Sequence, residues 1–154
     1  MSSDDVFRDR LAGVIAALEA WARDNRDVAE IDTGAVAAYW VIAVVPHALG
    51  ACPFELMLRA DRRFNLSIGQ EMYEDKPIDA FDFFPMLVRA IAKGEVQRVE
   101  ISSALTAALE IVETRVTLED GWAWIGERRV GSRGTRKSDA AQETRTRRYL
   151  PYRR

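Results

Sequence analysis

The chain contains a single cysteine, Cys52, and a single histidine, His47. One cysteine cannot form an intrachain disulfide, and nothing in the composition points to an oxidising compartment, so we expect a cytoplasmic protein. One cysteine and one histidine also need two further ligands to close a zinc site. A thiolate nucleophile needs a nearby base and an orienting group, and the sequence around the pair offers neither. We therefore expect a small buried thiol and a loop histidine.

The sequence also lacks a glycine-rich phosphate loop and a nucleophile elbow. These motifs place backbone N–H groups on a phosphate or present a serine on a strained turn, and their absence removes the commonest signals for nucleotide and acyl-transfer chemistry. No other motif commits the chain to a reaction. We predict that it is not an enzyme and that it holds no cofactor and no metal.

One long stretch, residues 33–54, has no Asp, Glu, Lys or Arg and is long enough to span a bilayer. Pro46 and Pro53 interrupt its second half, and acidic rather than basic residues flank it. Only residues 35–45 are continuously apolar, a length that fits a strand buried on both faces. An earlier apolar run, residues 11–22, follows an acidic rather than a basic start, unlike a signal peptide. We expect no membrane association.

Charge is divided unevenly along the chain. Residues 1–126 contain 21 acidic side chains and 12 Lys or Arg, whereas residues 127–154 contain 3 acidic and 10 basic side chains. A basic segment after an acidic body is expected to meet something negative: the body itself, a second copy, a membrane surface or nucleic acid. The composition predicts one domain over residues 1–130, followed by a basic C-terminal tail over residues 131–154 that the fold does not require.

The periodicity of apolar residues predicts two helices and about six strands. A stripe from Phe7 to Trp21 recurs at spacings of three and four residues, and a second helix is expected over residues 82–93, ended by Gly94. The clearest strand signal is a hairpin over residues 54–68, in which apolar and polar residues alternate on both sides of a short polar turn. Further strands are expected over residues 39–45, 96–102, 109–118 and 122–130, with a bulge between Ile111 and Val112. The order α-β-β-β-α-β-β-β predicts an α+β fold, in which two helices cover an antiparallel sheet of five or six strands.

An acidic segment precedes the second helix, and its carboxylates are potential ligands for Mg²⁺ or Ca²⁺, or potential acid–base groups. Its members are Glu71, Glu74, Asp75, Asp79 and Asp82. Their spacing does not match a calcium-binding loop, and capping of the following helix accounts for Asp79 and Asp82. A metal-dependent enzyme is therefore the weakest of three hypotheses.

The candidate binding residues lie near and after the last predicted hairpin. Trp122 and Trp124 are expected on one face, where stacking of bases, gripping of a peptide and plain cross-strand packing are all open. The arginines after Trp124 are the strongest electrostatic signal, and Tyr149 and Tyr152 could anchor the end of the tail to a surface. The binding candidates are Trp122, Trp124, Arg128, Arg129, Arg145, Arg147, Arg148, Tyr149 and Tyr152.

The predicted order of elements in a small acidic body resembles that of type III secretion chaperones and similar small α+β adaptors. The resemblance covers residues 1–118 and concerns topology alone, and the basic tail departs from it. Our leading hypothesis is a non-enzymatic adaptor that holds a protein segment and pairs with a second copy of itself. It is based on the lack of catalytic motifs, the amphipathic first helix, the aromatic hairpin and the oppositely charged parts, and the resemblance implies the same role. The alternative hypothesis is a nucleic-acid-associated protein acting through the tail, with binding that weakens steeply with salt. No DNA- or RNA-binding signature accompanies the arginines.

Overall fold

A computed structural model describes residues 2–130 and 141–153. The elements are, in chain order, α1 (Ser3–Asn25), β1 (Ala29–Val36), β2 (Tyr39–Pro46), β3 (Phe54–Arg59), β4 (Arg63–Ile68), β5 (Glu71–Pro77), α2 (Phe83–Ala92), β6 (Val96–Ser103), β7 (Leu109–Thr117), β8 (Ala123–Arg129) and β9 (Gln142–Arg148). All strand pairs are antiparallel. The α+β class is confirmed.

The strands form two sheets, with orders β1-β2-β3-β4-β5 and β8-β7-β6-β9. We call them the first and the second sheet. The sequence predicted one sheet of five or six strands, and the structure adds β1, β5 and β9 to that expectation. Each helix comes directly before one of the sheets, so the alternation of helix and strands agrees with the prediction.

Helix α1 begins after Ser2, whose hydroxyl caps the helix by accepting a hydrogen bond of 3.2 Å from the backbone N–H of Asp5. Its stripe is buried at Val14 and Leu18, and Trp21 packs on Phe54 of β3 with ring centroids 6.1 Å apart. The helix therefore covers the inner face of the first sheet. No helix among the described residues is long and apolar enough to cross a membrane.

Helix α2 ends at Ala92, and Gly94 follows it with a φ of +78°, a conformation strained for residues with a side chain. The capping role expected of the preceding acids is wrong for Asp82: it occupies the N-cap position but makes no side-chain hydrogen bond to the helix. Its backbone is itself in the helical region, whereas a capping side chain needs an extended backbone to reach the free N–H groups.

The hairpin predicted over residues 54–68 is confirmed as β3 and β4, with Leu56 opposite Leu66. Strand β2 differs from its prediction, because only alternate residues are buried and the others are half-exposed or exposed. A helix covers one face of this sheet, so its strands need not be apolar on both sides. The irregularity predicted at Ile111–Val112 lies two residues earlier, where an extra residue, Glu110, sits between the pairs Ile101–Ile111 and Ser102–Leu109.

The C-terminal segment differs most from its prediction. Strand β9 pairs with β6 along its whole length, and Tyr149 and Tyr152 are buried in the main core. The backbone N–H groups of Tyr149 and Tyr152 donate to the carbonyl oxygens of Val96 (3.0 Å) and Ala92 (2.8 Å). The part of the predicted tail over residues 141–153 is thus built into the fold, and residues 131–140 lie outside the described residues.

Candidate functional site at the junction of the two sheets

The largest aromatic cluster of the described residues surrounds a cavity of about 310 Å³. The cavity lies between the end of β5, the segment that leads into α2, and β8. Four aromatic residues line it, together with the exposed Lys76 and Asp79: Phe64, Phe83, Phe84 and Trp124. An apolar interior with two charged groups near its opening is the arrangement typical of a binding pocket.

The aromatic rings that line the cavity support one another. Phe64 of β4 meets Phe84 edge to face with ring centroids 5.1 Å apart, and Phe83 lies 6.0 Å from Phe64 and 6.4 Å from Trp124. Pairs at these distances stabilise each other beyond the area that they bury. The cavity walls therefore come from three separate elements, β4, α2 and β8, held in contact by ring packing.

Trp124 is fixed from behind by Tyr73 of β5, with the two rings edge to face at 5.3 Å. Gly126, the next residue of β8 on the same face, makes this approach feasible. A Cβ atom added there would lie 2.6 Å from Cζ of Tyr73. The absence of a side chain at residue 126 thus lets β5 lie directly on β8.

A buried ion cluster holds β5 to the second sheet beside these rings. Glu71 is only 4% exposed and accepts from Nε of Arg128 at 2.5 Å and from Nη1 of Arg98 at 2.6 Å. The hydrogen bond from Arg128 lowers the pKa of Glu71 against the opposing effect of burial. Both carboxylate oxygens are engaged, so Glu71 has a structural role rather than that of a free base.

Tyr73 also joins β5 to the second sheet, because its hydroxyl lies 2.8 Å from the hydroxyl of Thr114 on β7 and forms a hydrogen bond with it. Burial raises the pKa of Tyr73, mainly by penalising the charged phenolate. Neutral Tyr73 and ionised Glu71 therefore bond β5 to three strands of the second sheet, β6, β7 and β8.

The structure separates the two candidate tryptophans. Trp124 lines the cavity, whereas Trp122 precedes β8 and is 75% exposed. Arg128 lies on the same face of β8 as Trp124, bound to Glu71. Arg129 lies on the opposite face, 3.6 Å from Glu127. The expected cluster of two tryptophans and two arginines is therefore not assembled.

Several arginines of the basic segment bind the acidic body itself. Arg148 bonds Glu95 at 3.0 Å, Arg153 bonds Asp27 at 2.7 Å, and Arg128 bonds the buried Glu71. Arg147 stacks on the ring of Tyr149, and Arg145 lies opposite Glu100 in the β6–β9 pair. The acidic body is therefore one negative partner of the basic segment. The nucleic-acid hypothesis stays a prediction, and Arg133, Arg136 and Lys137 lie outside the described residues.

Tyr149 and Tyr152 are anchors within the protein rather than exposed binding groups. The hydroxyl of Tyr152 donates to the carbonyl oxygen of Cys52 at 2.5 Å. Burial raises the pKa of Tyr152, so the phenol stays neutral. Burial also raises the pKa of the Cys52 thiol to about 12, and at neutral pH this thiol is not a thiolate nucleophile.

The carboxylates of the acidic segment do not come together, because most of them lie on strand β5, where successive side chains point to opposite faces. Glu71 points into the protein, whereas Asp75 bonds Arg59, and Asp79 lies at the cavity. Within residues 2–130 and 141–153, no three His, Cys, Asp or Glu side chains come together as metal ligands.

The sequence reasoning identified Trp124 but missed Phe64, Phe83, Phe84 and Lys76 as neighbours of one cavity. The one visible signal was the run Phe81-Asp82-Phe83-Phe84, which has more aromatic residues than one face of a short helix can bury. Comparison with protein-family models, with curated proteins and with solved structures finds no match to this chain. The resemblance to secretion chaperones stays a prediction from the expected order of elements.

Proposed function

We propose that the protein is a non-enzymatic binding module whose aromatic cavity holds an apolar side chain of a polypeptide segment. The observation that carries the proposal is the cavity of about 310 Å³ walled by Phe64, Phe83, Phe84 and Trp124. Its volume lies at the small end of the range for ligand pockets, which suits one large side chain better than an extended cofactor.

The chemistry of the cavity supports a protein ligand. An aromatic pocket that receives one apolar anchor is the arrangement that concentrates binding energy in protein interfaces. Lys76 and Asp79 supply a donor and an acceptor beside the pocket, where the main chain of a bound segment has both N–H and C=O groups to satisfy.

The surroundings of the cavity extend the apolar surface beyond a single side chain. Trp122, which precedes β8 two residues before Trp124, is exposed. Within the described residues β8 pairs only with β7, so its other edge has backbone groups that a segment in extended conformation can pair with. A polypeptide can use the pocket, the exposed Trp122 and the strand edge together.

A peptide-display selection against the full chain, followed by calorimetry with the recovered peptides, tests this proposal. We expect the peptides to share one large apolar residue. The variant Ala80→Phe fills the cavity without removing a wall, since Ala80 is an exposed lining residue. It should weaken binding at least about tenfold, the loss of roughly 1.4 kcal/mol.

The matched control is Ala17→Phe, which makes the same change at an exposed position of α1 away from the cavity. It should bind the peptides as the wild type does. Peptides without an apolar anchor, or equal affinity for the wild type and Ala80→Phe, would show that the cavity is not the binding site.

A further inference from the structure

The outer face of the first sheet has no covering element among the described residues. Buried residues alternate with half-exposed or exposed ones along β2, β3 and β4, and the helices and the second sheet contact the buried set. The other set forms the outer face. It includes Val41, which lies opposite Met57, and Ser67, which lies opposite Met72.

The centre of this outer face is apolar. Val41 and Met57 form its middle row with Gly34 and Asn65 as neighbours on the adjoining strands. Around that row, Val45 is 59% exposed and Met72 is 61% exposed. Apolar side chains gathered on one face of a sheet, rather than scattered over the surface, are typical of an interaction surface.

The two ends of the outer face differ in charge. Glu30, Asp32 and Glu55 lie at one end, and none of them forms an ion pair within the described residues. Arg59 and Arg63 lie at the other end, beyond the apolar row.

The basic end is partly compensated by its own neighbours. Arg59 bonds Asp61 at 2.6 Å and also bonds Asp75, whereas the guanidinium of Arg63 donates to the backbone oxygen of Asp75. The face therefore runs from three carboxylates, through a largely apolar centre, to a pair of arginines with two nearby aspartates. Glu74, exposed on the edge strand β5 and on the same face as Met72, also has no ion-pair partner within the described residues, so the uncompensated charge lies at the acidic end and at this edge.

We infer that this outer face binds a second copy of the chain, with the twofold axis lying between the two sheets and running across the strands. A twofold interface uses the same patch on both copies. This axis places each strand antiparallel over its own counterpart, so Glu55 faces the partner subunit's Arg59. An axis along the strands would instead bring three carboxylates against three carboxylates, which costs stability.

The size of the face supports a dimer of modest affinity. Five strands about 4.8 Å apart, each with about six residues rising 3.4 Å, cover about 500 Å². Two copies thus bury about 1,000 Å², which is the lower limit for a specific interface, and aligned sheets pack readily face to face. The cavity lies on the inner side of the sheet, so the dimer leaves it accessible and does not depend on the proposed function.

Sedimentation of the full chain over a range of concentrations tests the inference. We expect a monomer–dimer equilibrium with a dissociation constant in the micromolar range, about −8 kcal/mol at 1 μM. The variant Met57→Glu places two carboxylates against each other at the axis and should raise the dissociation constant at least about 100-fold. Its far-UV circular dichroism and its urea midpoint establish that it folds.

The control variant Ile125→Glu makes the same kind of change at an exposed apolar residue of the second sheet. It should leave the dimer intact. A wild type that stays monomeric at about 1 mM, the concentration scale of the weakest specific contacts, overturns the inference. So does a dimer that Met57→Glu does not weaken.

Cross-linking distinguishes the two possible axes. Gly34 lies in the middle row on the edge strand β1, and a side chain there meets no other atom within 4 Å. In a Cys52→Ala background, Gly34→Cys should be joined to its counterpart by a short bismaleimide, because the proposed axis places β1 over β1. The other axis places β1 over β5, about 19 Å to the side at 4.8 Å per strand. Failure to cross-link a sedimenting dimer overturns the proposed orientation.

Discussion

The hydroxyl of Tyr152 donates a hydrogen bond of 2.5 Å to the carbonyl oxygen of Cys52, a residue 100 positions earlier in the chain. Both groups are buried. The hydroxyl of the neighbouring Tyr149 approaches Gly69 so closely that a Cβ atom at residue 69 would overlap it. The last tyrosines of the chain are thus part of the core and do not belong to an exposed tail.

We expect Tyr152→Phe to lower the free energy of unfolding by about 1–3 kcal/mol, because it leaves the buried Cys52 carbonyl without its donor. Urea denaturation followed by circular dichroism measures the change. Tyr39→Phe is the matched control, since Tyr39 lies on the outer face of the first sheet and should tolerate the loss of its hydroxyl. An unchanged midpoint for Tyr152→Phe would mean that the C-terminal segment does not dock as described.

Glu71→Gln should destabilise the protein by about 3–5 kcal/mol at neutral pH, because it leaves the guanidinium groups of Arg98 and Arg128 without their shared carboxylate. Urea unfolding at pH 7 measures this loss. The control is Glu127→Gln at the exposed pair with Arg129, where we expect a change of less than about 1 kcal/mol. Equal effects of the two variants would contradict a structural role for the cluster.

The contribution of Glu71 should also depend on pH in a defined direction. Its pKa is lowered in the folded protein, so its contribution is fully present above the ordinary glutamate pKa of about 4.3 and is lost as the pH falls through the folded value. The difference in stability between the wild type and Glu71→Gln should therefore stay constant from pH 7 to about pH 5 and shrink in more acidic buffer. If the stability difference between the wild type and Glu71→Gln grew as the pH fell, the lowered pKa of Glu71 would be contradicted.

Gly126→Ala should destabilise the protein by about 1–3 kcal/mol, because the added methyl group overlaps the ring of Tyr73 and forces β5 away from β8. Thermal unfolding measures the loss, and near-UV circular dichroism should report the disturbed contact between Tyr73 and Trp124. Gly13→Ala makes the same change at an exposed position of α1, where nothing lies within 4 Å of the added atom. That control should be neutral or slightly stabilising, as the removal of a glycine from a helix usually is.

The local pattern of apolar and polar residues was sufficient to predict the elements that have one buried face and one exposed face. The alternation from Phe54 to Ile68 predicted the β3–β4 hairpin, and the stripe that includes Val14 and Leu18 predicted α1, because in both cases burial of one face dictates the period of apolar residues. Gly94 ended α2 for an equally local reason, its positive φ.

Strand β9 shows where that reasoning fails. Its sequence, Gln142-Glu143-Thr144-Arg145-Thr146-Arg147-Arg148, contains no apolar residue and is exposed along its length, so no burial pattern marks it. It forms because β6 offers an unpaired edge, and backbone hydrogen bonding to an edge does not depend on side chains. Its arginines protect the free edge that it creates from pairing with another chain.

By itself, the sequence determined the α+β class, both helices, the main hairpin and the division of charge, since each depends on the order and periodicity of neighbouring residues. The tertiary structure alone decided that Phe64, Phe83 and Trp124 surround one cavity, that Glu71 lies between Arg98 and Arg128, and that the last tyrosines belong to the core. These relationships join residues about 20 to 100 positions apart, and only the packing of the two sheets, which follows from the whole set of buried contacts, brings them together.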